Sequence, residues 1–405
     1  MRIGAALTGA TGFLGSHFAV QYLKDFPDEA LLCFARGKDS LNARQRVLQA
    51  LRIAHDNCRL PGLPDDYFGR AVVVEDNLLS SDGLLELPFD STPLTPISFW
   101  HCAASVNFVE SERSMVWQTN VDGLRNALFL ARRMKAKVFN HISTAYVCGN
   151  ATGRIFETDD RTPEKFNNVY EESKRYGEQL VSEYCGNSGM RYRILRPSII
   201  IGHSQTFLTS TTSGFYYCLD ALRHVVEKMV ARDPGYFKWQ PLRIRMERNV
   251  TLNLIPIDIV VSEMIDLHRC GNRTVDQTFH LTNECPTSIL DLLHTISQEF
   301  GIREIQPVSS DGELRPVDRL FNRQLKAFTP YLTQHKLFDR TNAARYGIDR
   351  HQVSYLLDMQ RLKKFIVTYR SGDVPAAAYS HRHHNEVGSS MEHQSIELCG
   401  VAAAL

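Results

Sequence analysis

Short apolar runs alternate with longer amphipathic stretches over roughly the first 190 residues of the chain. The run Ile3 to Leu7 ends in Thr8-Gly9, and Phe13, Leu14, Phe18, Ala19, Tyr22 and Leu23 then recur at helical spacing. This predicts a strand, a glycine turn and a helix. A second apolar run, Ala30 to Ala35, precedes a polar helical stretch from Leu41 to Ala54. Further strands are predicted at Ala71 to Val74, Ile97 to His101, Val138 to Ile142 and Tyr192 to Leu195. Strands alternating with helices form right-handed βαβ units, so the expected fold class is α/β, a Rossmann-type doubly wound parallel sheet. Ligands of such sheets sit at the carboxyl ends of the strands. After Arg196-Pro197, a Ser/Thr-rich turn around Thr206 to Ser213 and an amphipathic stretch from Phe215 to Val230 open a smaller carboxyl-terminal substrate-binding region.

Length and composition bound this picture. A chain of 405 residues exceeds one comfortable core. The expected division is a dinucleotide-binding and catalytic domain over 1–202, then 203–372 as mainly substrate-binding, with some segments returning to the sheet. The stretch 373–405, rich in Ala, Ser, His and Gly, is expected to be a flexible tail. Its His381, His383 and His384 read as a solvated tract, and no metal is expected. Lys and Arg number 46 against 45 for Asp and Glu, which gives no global field for nucleic acid. Nine cysteines without a CxxC pair fit reduced thiols. No apolar run approaches the ~20 residues of a membrane span, and the first strand begins almost at Met1. A cytoplasmic protein without an integral membrane segment is expected.

Residues 8 to 15 read TGATGFLG, with Gly9, Gly12 and Gly15 at three-residue intervals between the first strand and helix. Small residues there let backbone N–H groups approach a pyrophosphate. Thr8, Gly9, Thr11, Gly12, Phe13, Leu14 and Gly15 are therefore candidate cofactor contacts. Beyond the second strand, where an acidic residue would hold an NAD ribose, stands Arg36, with Lys38 close by and Arg46 on the next helix. These favour a 2′-phosphate, hence NADPH, although Asp39 offsets the local charge.

A strand ending at Ile142 delivers Thr144, and Tyr170 and Lys174 follow four apart on one helical face. Thr144 and Tyr170 are suited to donate to a carbonyl oxygen that gains negative charge as hydride arrives. Lys174 is expected to ease ionisation of Tyr170 and to hold the nicotinamide ribose.

Taken together, TGATGFLG, HCAASVNF from His101, ISTAYVCG from Ile142 and YEESK from Tyr170 resemble the extended short-chain dehydrogenases/reductases over about residues 3 to 285. FARG from Phe34, VNF from Val106, RPSIIIG from Arg196 and NLIPIDIVV from Asn253 look most like the thioester reductase and fatty acyl-CoA reductase branch, with its male-sterility-type NAD-binding domain. The resemblance implies that Asp76 approaches the adenine and that Ala103 and Ala104 line the cofactor path. It also implies that Asn120 orders the active-site region and that Pro197 and Ser198 lead to the nicotinamide. Asn77 and Ser198 depart from the residues common at those places, where apolar and glycine residues respectively are usual.

The reaction so implied is NADPH-dependent reduction of an acyl-CoA or carrier-bound acyl thioester to an aldehyde or alcohol, with the substrate presented in trans. Arg243, Arg245 and Arg248 are candidate contacts for a pantetheine phosphate or an acidic carrier. Phe207, Leu208, Phe215, Tyr216 and Tyr217 are candidate walls of an acyl tunnel, and core packing explains them equally well. The same Tyr and Lys chemistry serves ketoreductases, alcohol dehydrogenases and nucleotide-sugar epimerases, and a dinucleotide-sensing regulatory protein is a further alternative. The pattern is silent on the oligomeric state.

Overall fold

The computed structural model describes residues 2–38, 40–59, 65–75, 98–158, 163–351 and 355–372. Seven strands form its central sheet: β1 (Arg2–Thr8), β2 (Glu29–Ala35), β3 (Ala71–Glu75), β4 (Ser98–His101), β5 (Val138–Ile142), β6 (Arg191–Pro197) and β7 (Gln277–Leu281). The spatial order is β7-β6-β5-β4-β1-β2-β3, with every pairing parallel. The order reverses between β1 and β4, and there the glycine turn opens, the switch-point position expected of a doubly wound sheet. The inner strands are buried on both faces, which explains why they read as continuous apolar runs rather than alternating ones.

The main helices are α1 (Phe13–Asp25), α2 (Ala43–Cys58), α3 (Gly123–Arg133), α4 (Val169–Ser188), α5 (Phe215–Val230), α6 (Ile257–Arg269), α7 (Ile289–Phe300), α8 (Pro316–Gln324) and α9 (Met359–Ser371). Local chemistry sets several of their ends. Asn42 and Gln45 form a reciprocal capping box on α2, and Asn168 caps α4, which stops at Gly189 in the left-handed region.

Helices α1, α2 and α6 cover one face of the sheet around Phe18, Leu51, Trp100 and Met264, while α3 and α4 cover the other around Phe99, Leu128 and Val181. A third apolar cluster joins α5, α7, α8 and α9 around Phe215, Leu222, Phe321 and Phe365. It is built mainly from three stretches of chain, 201–254, 289–331 and 357–369. Between the first two the chain returns to the sheet through α6 against α1 and β7 beside β6, and between the last two through residues 339–351, where Arg340 pairs with Glu263 of α6 and Asn342 donates to Thr278 O of β7. Among the described residues, no helix is long and apolar enough to cross a membrane.

Candidate active site

The cofactor end of the site begins where β1 stops. Gly9 takes φ +78°, and a Cβ there would stand 2.6 Å from the Ala103 nitrogen, so both conformation and space demand glycine. At Gly15 a Cβ would lie 2.2 Å from the Gly9 oxygen. Gly12 caps α1 with no side-chain hydrogen bond, which leaves the N–H groups of the first turn and the positive end of the helix available. Glycines packed against backbone below an uncapped helix end fit a pyrophosphate.

Gly9, Gly12, Phe13, Leu14 and Gly15 border a cleft of about 3200 Å³ that also reaches Ala104, Thr144, Tyr170, Lys174, Pro197 and Ser198. Thr8 is fully buried, and its hydroxyl lies 2.9 Å from His101 Nδ1 and accepts from Ala103 N at 3.4 Å. It ties β1 to the end of β4. Thr11 is half-buried in the turn. Thr8 pairs in register with Phe34, which puts the exposed Arg36 beside the glycine turn. The Arg46 guanidinium donates to the Arg36 carbonyl, and the Gly37 N–H donates to Glu75 at 3.1 Å. Asp76 and Asn77 lie outside the described residues, as do His381, His383 and His384.

Beyond β5, Thr144 caps a single tight turn, and its Oγ1 accepts from Tyr146 N at 3.3 Å. Helix α4 presents Tyr170 and Lys174 one turn apart, and Tyr170 is hydrogen-bonded to Thr144. Burial pushes the Tyr170 phenol up from its ordinary value; the Thr144 bond opposes this, and the neighbouring Glu171 carboxylate reinforces it. This departs from the expectation that Lys174 eases ionisation of Tyr170. The Lys174 ammonium is turned away, donating to the Ile142 carbonyl at 2.5 Å. Burial brings Lys174 down to about 8. His101 and His141 stack at 5.8 Å, and burial followed by the Lys174 charge holds both well below the usual histidine range.

Asn120 is 2% exposed in a π-helical turn (Gln118–Asp122). It donates to Ser105 O at 3.0 Å and to Ser173 Oγ at 2.9 Å, and accepts from Ser105 N at 2.7 Å. Its hydrogen bonds join the loop after β4 to α4. Ser198 Oγ donates to Asn253 Oδ1 at 2.6 Å, so its hydroxyl is engaged in tying β6 to the Thr251–Leu252 segment region.

The substrate side differs from the sequence expectation at several residues. Phe215 and Tyr217 border the cleft. Tyr216 does not: it is fully buried, packs at a tilt against Tyr369 with ring centres 4.5 Å apart and accepts from Gly202 N at 2.9 Å. Phe207 packs edge-on against Phe365 at 5.0 Å, away from the cleft lining, and Leu208 accepts from His203 N in the same turn. Arg243 donates to Glu313 O at 2.7 Å and Arg245 pairs with Asp311 at 3.2 Å, so both guanidinium groups engage the loop before α8 rather than the cleft.

Other residues take those places. Phe108, Tyr146, Phe328 and Tyr331 form an aromatic wall, with Phe108 5.7 Å from the Tyr170 ring and 5.4 Å from Phe328. At the outer end, Lys228, Arg232, Arg319, Arg323 and Lys326 border the cleft and are exposed. None joins an ion pair among the described residues. Phe108 sits in the VNF motif and Tyr146 in ISTAYVCG; Phe328, Tyr331 and the cations follow no local pattern.

The male sterility protein family model matches residues 7–264. The chain is 30% identical over 394 residues to the nonribosomal peptide synthetase asaC of Aspergillus flavus, covering 89% of this chain and 36% of that protein. It is 27% identical over 288 residues to fatty acyl-CoA reductase 1 of Xenopus laevis, covering 63% of this chain and 52% of that protein. The chain thus spans about a third to a half of these relatives. In fold it is similar to the terminal R domain from the myxalamid PKS-NRPS biosynthetic pathway, with TM-score 0.70, 22% identity, and 93% and 92% of the two chains covered. The motifs, the sheet order and these similarities agree, and the chain belongs to the male sterility protein family.

Proposed function

We propose that the protein reduces an acyl thioester with NADPH to an aldehyde or alcohol, releasing a thiol. The observation that carries this reading is one continuous cleft running from the glycine turn, past Thr144 and Tyr170, along an aromatic wall to a cationic mouth. An apolar channel suits an acyl chain, and a cationic mouth suits the phosphates of coenzyme A or of a carrier's phosphopantetheine. The similarity to a fatty acyl-CoA reductase and to a nonribosomal peptide synthetase supports the same substrate class.

When bound, NADPH supplies the hydride to the thioester carbonyl carbon. The glycine turn and the α1 amino end hold its pyrophosphate, Lys174 holds the nicotinamide ribose, and Arg36 and Arg46 flank the 2′-phosphate. Thr144 and Tyr170 donate to the carbonyl oxygen, and Tyr170 gives up its proton as that oxygen becomes negative. A phenol kept protonated by burial suits a proton donor. The hemithioacetal hydroxyl then gives up its proton as the carbon–sulfur bond breaks, the departing thiolate takes that proton, the aldehyde leaves, and solvent restores the proton of Tyr170.

The test is NADPH oxidation by purified protein with acyl-CoA and acyl-pantetheine thioesters beside matched ketones and aldehydes, with products identified by mass spectrometry. Thioester-dependent oxidation with release of thiol is expected. The Tyr170→Phe variant should lose about 100-fold or more in turnover while binding NADPH normally. Turnover with free carbonyls alone would make the protein a ketoreductase. Parallel runs with NADH and with Arg36→Ala decide the cofactor, since the substitution should weaken NADPH selectively.

A further inference from the structure

Glu171, next to Tyr170, is a fully buried carboxylate that neither the cofactor turn nor the proposed proton transfer uses. Its Oε1 accepts a 2.6 Å hydrogen bond from the Tyr331 hydroxyl, and its Oε2 accepts from Asn167 N at 3.0 Å. The Tyr331 oxygen accepts in turn from Asn168 Nδ2 at 2.9 Å. Asn168 Oδ1 then closes a ring by accepting from Glu171 N at 2.9 Å, the bond that caps α4. One member of this ring comes from 160 residues downstream. The same downstream segment makes a second tie, because Gln334 Nε2 donates to Asn167 Oδ1 at 3.0 Å and Lys336 donates to Gln334 Oε1 at 2.8 Å.

The other end of Tyr331 faces substrate space. Its ring borders the cleft, meets Tyr146 edge-on at 4.8 Å and stacks on Phe108 at 5.9 Å. Tyr146 lies two residues after Thr144, and Phe108 touches the ring of Tyr170. A buried carboxylate is tolerated only while hydrogen-bonded, so Glu171 holds the first turn of α4 wherever Tyr331 holds Glu171. A helix cap alone would need no aromatic ring set in the cleft wall.

We propose that Tyr331 and Glu171 are a positioning pair. The tyrosine of the acyl wall fixes the carboxylate, and the carboxylate fixes the helix turn that carries Tyr170. An acyl chain seated against Tyr331 thereby aligns the Tyr170 hydroxyl with its own carbonyl oxygen. The substrate named here rests on the thioester reading above; the mechanical link does not.

Tyr331→Phe keeps the ring and removes the hydroxyl. It should lower kcat by roughly 10- to 100-fold while leaving the NADPH Kd unchanged, since misplacing a reacting group costs rate rather than cofactor binding. Amide hydrogen exchange in the free protein should quicken at Asn167 and Glu171. Glu171→Ala should match it, the double variant should be no worse than Glu171→Ala alone, and Glu171→Gln, which retains an acceptor for Tyr331, should recover part of kcat. Wild-type kcat in Tyr331→Phe overturns the proposal whether or not exchange quickens, because faster exchange alone marks only a helix cap. Should Tyr331→Phe fail to fold, unaltered kcat in Glu171→Gln and Glu171→Ala overturns it instead. If the wild type consumes NADPH only with free aldehydes, the thioester reading falls, and the same comparison run with the aldehyde still decides the pair.

Discussion

Lys174 is enclosed by the end of β5 and the paired rings of His101 and His141, and desolvation brings its ammonium down to about 8. Below that value the side chain is charged and able to hold ribose hydroxyls; above it the side chain is neutral. Tyr170 is displaced upward by the same burial and stays protonated across this window. NADPH affinity should therefore be flat below about pH 8 and fall above it, approaching tenfold per pH unit. Fluorescence titrations between about pH 6.5 and 9.5 check this, and Lys174→Met should bind weakly with no such limb. An unchanged affinity through the window in the wild type would remove Lys174 from the ribose. At this scale the Thr144, Tyr170 and Lys174 trio was legible, because strand end and helical repeat are local patterns. The direction in which the Lys174 ammonium points was not, since it depends on a carbonyl 32 residues away.

The turn between β1 and α1 separates two glycine roles by geometry. A Cβ on Gly15 meets the Gly9 carbonyl at 2.2 Å, whereas one on Gly12 comes no nearer than 3.3 Å to it. Gly15→Ala should thus cost about 1–3 kcal/mol of stability through overpacking, read by thermal or urea denaturation. Gly12→Ala should melt close to the wild type yet bind NADPH more weakly, because its methyl group stands at the cleft. Equal melting points for the two would contradict this division. The elements themselves were largely readable: six of the seven sheet strands and the helix over Phe215–Val230 follow from apolar period alone. The strand β7, QTFHL, is short and three of its five residues are polar, and only its pairing with β6, some 80 residues earlier, makes it a strand. Arg243 and Arg245 were read as open cations because nothing nearby in sequence pairs them. Their partners, Glu313 and Asp311, lie about 70 residues away.

Across the whole molecule charge is balanced, 46 cationic side chains against 45 acidic ones, yet five exposed cations without an ion pair among the described residues border one cleft. Such a collar acts on substrate capture more than on chemistry. Reversing two of the charges, Lys228→Glu with Arg323→Glu, should raise KM for an acyl-CoA about tenfold or more and leave kcat unchanged. A neutral N-acetylcysteamine thioester should be indifferent both to the substitutions and to added salt. Equal effects on both substrates would mean that the collar does not read phosphate. The cluster that builds this mouth and the acyl wall comes mainly from three stretches of chain, separated by the return of α6 and β7 and then of residues 339–351 to the sheet. For anyone recombining such enzymes to change their substrate, a single crossover after the catalytic strand would therefore replace an edge of the nucleotide-binding sheet together with the pocket. Grafting a foreign pocket calls for three exchanged cassettes around a retained α6–β7 spine and a retained 339–351 segment, with Tyr331 in the second cassette matched to Glu171 in the host.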